Sequence, residues 1–144
     1  MYKKIVVAYN ESAEAQRAFA CAISLAKSLG AELRTVTVKE SLPSYIAFAS
    51  AAGPSLPTVL REDLSSFYAD LEKNAQRRAV DEGLEISTHT VEGPAIEAIV
   101  RFLHAYGADL LVVGLHQRTL GLARLWSTVD KLAQGAPCSV LGVH

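Results

Sequence analysis

Ala108-Asp-Leu-Leu-Val-Val-Gly-Leu-His-Gln-Arg-Thr119 is the stretch from which the fold of this chain is read. Leu110 to Val113 is a continuous apolar run, the pattern of a parallel strand buried on both faces, and Gly114 ends it where the backbone is expected to turn sharply. Downstream, Ser127 and Thr128 are good N-cap types for a short helix whose apolar face is Val129, Leu132 and Ala133. Gly135-Ala-Pro137 stops that helix, and Ser139 to Val143 reads as a last strand. The order is strand, loop, helix N-terminus, strand. The loop and the unsatisfied N–H groups of the helix's first turn could together hold an anion such as phosphate.

Working back toward the N-terminus, Lys4 to Tyr9 is a short β-branched apolar run and reads as the first strand. Ser12 caps a helix with Ala15, Ala18, Ala22, Leu25, Ala26 and Leu29 on one face, stopped by Gly30. Leu33 to Val38 is a second strand, less apolar and so nearer a sheet edge. Lys39 to Pro57, with four residues of Pro and Gly around Tyr45-Ile-Ala-Phe-Ala49, reads as a long connection of the kind that serves as a lid, a binding loop or a mobile surface loop. Leu60 to Glu82 is an amphipathic helix with Leu60, Leu64, Phe67, Leu71, Ala75 and Ala79 inward. Leu84 to Val91 is the third strand. Gly93-Pro94 opens a helix that buries Ile96, Ile99, Val100 and Leu103 and closes at Tyr106-Gly107. Strands alternating with helices imply parallel pairing: one α/β domain over residues 1–144, a doubly wound, Rossmann-like sheet with helices on both faces. Ligands of such sheets bind outside the carboxyl ends of the strands, where the strand order reverses. Ala8 to Ser12, Val38-Lys39 and Gly114 to Thr119 are those ends.

The totals narrow the function classes. With 144 residues, half of them hydrophobic, the chain can bury a real core. Its 14 basic and 15 acidic residues nearly cancel, so no strong field favours nucleic acid or an anionic membrane surface. No apolar run is long enough to span a bilayer or to form a signal-peptide core, and a cytoplasmic location is expected. Cys21 and Cys138 stand apart and read as buried, reduced thiols. His89, His104, His116 and His144 are scattered singly, so no metal site is expected. A G-x-x-x-x-G-K-[ST] loop, a G-x-G-x-x-G after the first strand and a G-x-S-x-G elbow are all missing.

Met1-Tyr-Lys-Lys-Ile-Val-Val, Glu92-Gly-Pro-Ala-Ile-Glu-Ala-Ile, Ala108-Asp-Leu-Leu-Val-Val-Gly-Leu-His and Ala136-Pro-Cys-Ser-Val-Leu-Gly-Val, in this order and spacing, resemble the universal stress protein family. The resemblance covers essentially the whole chain. It implies strand order 3-2-1-4-5, a cytoplasmic homodimer paired through the last strand and, in some members, an ATP site. Members that bind ATP carry G-x2-G-x9-G-[ST] after the fourth strand. Gly114 matches the first glycine and Thr128 the final hydroxyl, while Gln117 and Ser127 replace the other two glycines. Asn10 stands where nucleotide-binding members carry an aspartate, keeping an acceptor oxygen, adding donors and losing the charge. Ala8 and Val38 are implied near the adenine, and Val113, His116 and Val129 complete the pocket. Arg118 offers either a cation to the phosphates or a plain surface charge.

Two functions follow as expectations. The first is a dimeric regulatory module of the stress response with a degenerate ATP loop, in which no cofactor is required. The second is a competent ATP or AMP sensor, with magnesium, whose variant loop still closes. A nucleotidyl-transfer enzyme would need an SGGxDS-like loop or a HIGH-like motif, and neither is present, so no enzymatic turnover is expected. The last strand is an exposed edge, which places Val140 and Val143 in or near a homodimer interface.

Overall fold

The computed structural model describes residues 1–39, 56–115 and 122–144, with side chains described except at 56–62 and 122–128. Among these residues five strands alternate with four helices. They are β1 (Lys4–Ala8), α1 (Ala13–Leu29), β2 (Glu32–Lys39), α2 (Leu56–Asp81), β3 (Ser87–Glu92), α3 (Ala95–Tyr106), β4 (Leu110–Gly114), α4 (Leu122–Gly135) and β5 (Ser139–Val143). The strands form one parallel sheet in the order β3-β2-β1-β4-β5, as the resemblance implied. β1 and β4 are central. Ile5, Val6, Val7, Leu111 and Val112 are completely buried, which is why both strands read as unbroken apolar runs.

Because strand side chains alternate, the sheet feeds two cores. Ile5, Val7, Leu33, Leu110 and Val112 point to the face covered by α1 and α2, where Phe19, Ala22, Leu71, Ala75 and Ala79 pack. Val6, Val36, Leu111 and Val113 point to the opposite face, against Ile99 and Leu103 of α3 and Leu132 of α4. Asp109 ties the starts of the central strands together: its carboxylate accepts the backbone N–H groups of Lys3 at 2.8 Å and Lys4 at 3.0 Å.

Several expectations need correction. α4 begins at Leu122, so Ser127 and Thr128 lie inside it and do not cap it. Leu122-Ala-Arg-Leu-Trp is a run of fair to good helix formers, and a cap-type residue inside such a run does not start a new helix. α2 begins at Leu56, before the expected Leu60, with Pro57 in its first turn, where a missing N–H costs nothing. Within α1, Leu29 is 43% exposed, while Phe19 and Ile23 are buried alongside the alanines. Phe67 is 41% exposed, and its neighbour Tyr68 packs on the core instead. Cys21 and Cys138 are free, as expected, but half-buried rather than buried. The rest of the expected Lys39 to Pro57 connection, residues 40–55, lies outside the described residues, as does 116–121 with His116, Gln117 and Arg118.

Candidate functional site

The strand order reverses between β1 and β4, and the crevice at their carboxyl ends is where a ligand of such a sheet is held. Val7 is paired with Val112, so Ala8 and Val113 follow side by side. Ala8, Val38, Val113 and Val129 come from four separate elements and all pack in the core on the α3–α4 face. The structure therefore brings together the apolar half of the expected pocket. Apolar side chains gathered at a switch point are the kind of lining a ligand pocket draws on.

Gly114 continues β4, paired with Val143, and its φ is not positive. The expected sharp turn is absent there. The glycine is required because the backbone of α1's first turn lies directly against it.

The polar half of the described site is the turn from β1 into α1. Tyr9 is anchored on three sides. Its N–H donates to the Val36 carbonyl at 2.9 Å, its carbonyl accepts the buried Thr37 hydroxyl at 2.9 Å, and its ring meets Phe19 edge-on at 5.0 Å. Asn10 follows, exposed, with Oδ1 accepting the Ser12 N–H at 2.9 Å. Ser12 is the N-cap of α1, its Oγ accepting the Ala15 N–H at 3.1 Å. Gln16 folds back over the turn: Nε2 donates to the Asn10 carbonyl at 2.8 Å, and Oε1 accepts the Arg78 guanidinium of α2 at 2.8 Å. Neither Gln16 nor Arg78 was singled out from the sequence. The available signal was a long amide side chain one turn inside a capped helix, within reach of the loop it leaves.

Of the remaining expected residues, His116 and Gln117 lie outside the described residues. The backbone of Ser127 and Thr128 is part of α4.

The groups with displaced pKa values lie away from this end of the sheet. At the amino ends of the strands, Arg34 sits over the Tyr106 ring at 4.0 Å and pairs with Glu32 at 2.7 Å. The hydrogen bond from Arg34 holds the Glu32 carboxyl below its usual range. Burial, and then the neighbouring Glu32 carboxylate, pushes the Tyr106 phenol up to about 12, although no well-formed hydrogen bond to its hydroxyl closes among the described residues. Burial likewise pushes the Cys138 thiol up, with Asp109 adding to it. Midway along β3, His89 packs beside Phe102 at 4.9 Å, and burial followed by Arg34 lowers its pKa. No group of three or more His, Cys, Asp or Glu residues that could hold a metal ion occurs among the described residues. None of their helices is long and apolar enough to cross a membrane.

Comparison with known proteins gives one answer. The profile of the Universal stress protein family matches residues 1–144. Universal stress protein MJ0531 of Methanocaldococcus jannaschii is 30% identical over 145 aligned positions, covering 99% of this chain and 82% of that protein. A crystal structure of a universal stress protein in complex with cAMP is 26% identical, covers 99% of this chain and 97% of its own, and has a TM-score of 0.76. A universal stress protein family protein from Arabidopsis thaliana with AMP bound shares the fold, with a TM-score of 0.70 at 19% identity, covering 98% of this chain and 90% of its own. The family match over residues 1–144 and the archaeal relative at 30% identity both show that the chain belongs to the universal stress protein family.

Proposed function

We propose that this chain is a regulatory module of the stress response that binds an adenine nucleotide in the crevice between β1 and β4 and acts as a cytoplasmic homodimer without catalytic turnover. The observation that carries the reading is the wall formed by Ala8, Val38, Val113 and Val129 at the carboxyl ends of the strands, together with a relative of the same fold that holds cAMP. The wall takes the base, and the turn at Asn10 takes polar groups of the nucleotide. Binding without turnover fits the state of the polar groups at the turn. The Asn10 oxygen and the Ser12 hydroxyl are both already engaged in starting α1, and neither is a base poised to take a proton.

The sequence carries Gln117 and Ser127 at two positions where the resemblance implies glycines in members that bind ATP, and a chain without those glycines is less suited to the close backbone approach a triphosphate needs. A monophosphate or cyclic nucleotide is therefore favoured over ATP. The test is calorimetric titration of nucleotide-stripped protein with cAMP, AMP and ATP, with and without magnesium. Micromolar binding of a monophosphate, with ATP weaker, is the expected result. Absence of heat with all three nucleotides, and of any nucleotide carried through purification, would overturn the reading and move attention to the dimer surface.

A further inference from the structure

We infer that the cleft between α1 and α2 is a second ligand site, for a small zwitterion that carries a carboxylate and an ammonium group a few bonds apart, as an α-amino acid does. The inference goes beyond the nucleotide reading and does not depend on it. The cleft has a volume of about 250 Å³, below the usual range for drug-sized ligands and suited to a smaller molecule. One side is the α1 face that carries Ile23, Ser24, Lys27 and Ser28 at helical spacing, and the other is Arg78 and Glu82. Ile23 is buried and contributes apolar surface, while both serines are exposed and offer hydroxyls.

The charges of the cleft suit both ends of such a molecule. The Glu82 N–H donates to the Arg78 carbonyl at 3.2 Å, so the two residues stand one helical turn apart on the same side. Opposite charges at that spacing attract, yet none of the ion pairs among the described residues includes Arg78, Glu82 or Lys27. Arg78 is held elsewhere: its guanidinium donates to Gln16 Oε1 at 2.8 Å and lies 5.5 Å from the Phe19 ring. That hold fixes the guanidinium and leaves it further N–H donors for a carboxylate. Glu82 keeps an acceptor-only carboxylate for an ammonium group, and Lys27 adds a second cation. A plain anion would gain the two cations but face the Glu82 carboxylate, and a plain cation would gain Glu82 but face Lys27 and Arg78. A zwitterion satisfies all three.

The test is NMR titration of isotope-labelled protein, following backbone amide shifts, with L-alanine, propionate and inorganic phosphate as probes. L-alanine is expected to shift the amides of Ser24, Lys27, Ser28 and Glu82 saturably and to bind more tightly than the other two. Glu82→Gln should weaken alanine by about tenfold and leave propionate no weaker, whereas Lys27→Gln should weaken both. Both side chains are exposed, so the fold is retained in each variant, and a melting curve confirms it. Propionate or phosphate binding as tightly as alanine would make this a plain anion site and overturn the inference. Unchanged alanine affinity in Glu82→Gln, shifts confined to other surfaces, or no saturable shift with alanine would overturn it too.

Discussion

A Cβ placed on Gly114 would lie 2.5 Å from the carbonyl oxygen of Glu14 and 2.8 Å from the amide nitrogen of Ala15. The end of β4 and the first turn of α1 therefore meet backbone to backbone. The obstacle is backbone on both sides, so neither partner can swing away as a side chain could. Gly114→Ala should destabilise the fold by about 1–3 kcal/mol, the usual range for overpacking, and displace the start of α1. Urea unfolding gives the first number, and weaker nucleotide binding would show the second. A variant as stable as the wild type would mean that the two backbones are not in contact in solution.

The difference between what was and was not legible in the sequence follows from the kind of constraint involved. Leu110 to Val113 was legible because burial on both faces leaves no polar position, and Gly30 and Gly107 because left-handed helix ends select glycine. The role of Gly114 was not, since a glycine demanded by a neighbour far away in the sequence looks the same as one demanded by a turn. Phe67 and Tyr68 are adjacent aromatic residues, and periodicity alone chose the one that is exposed. The resemblance named Ala8, Val38, Val113 and Val129, and the structure gathers these four in one core cluster on the α3–α4 face. The Arg78–Gln16–Asn10 chain was not legible, because a side-chain bridge between two helices leaves no period in the sequence.

That bridge is measurable. Arg78 also lies against the Phe19 ring at 5.5 Å, so single substitutions mix several losses, and a double-mutant cycle isolates the pair. Arg78→Ala and Gln16→Ala should show a coupling of about 1 kcal/mol in urea unfolding, the scale of one half-buried hydrogen bond with a charged donor. Additive effects would mean that the two side chains do not meet.

His89 gives the fold a pH dependence with a definite sign. Burial, and then Arg34, disfavours its protonated form, with Glu72 pulling weakly the other way, so its pKa in the folded chain lies below the ordinary 6.5. Well above 6.5 neither the folded nor the unfolded chain carries this proton, and the contribution to stability is fully present. As the pH falls, the unfolded chain takes up the proton first, and stability declines until the folded pKa is also passed. The melting temperature should therefore drop as the pH is lowered through about 6.5, and His89→Gln should flatten that part of the curve. An unchanged slope in the variant would assign the pH dependence to other groups.

The last expectation concerns the sheet edge. β5 is paired along one side only among the described residues, to β4, and the ladder continues through the Leu115 N–H to the Val143 carbonyl at 2.7 Å. Val140 and Val143 are half-buried against the two cores of their own chain, whereas Leu141 is 36% exposed. An edge strand with a free row of backbone donors and acceptors and an exposed leucine is stabilised by a two-fold copy of itself. Light scattering at micromolar concentration should give twice the 15.4 kDa of the chain. Leu141→Lys should shift the protein toward monomer without unfolding it, since a charge on an exposed edge opposes pairing but disturbs little of the core. A monomeric wild type would count against the dimer, and a dimer untouched by Leu141→Lys would place the interface on another surface.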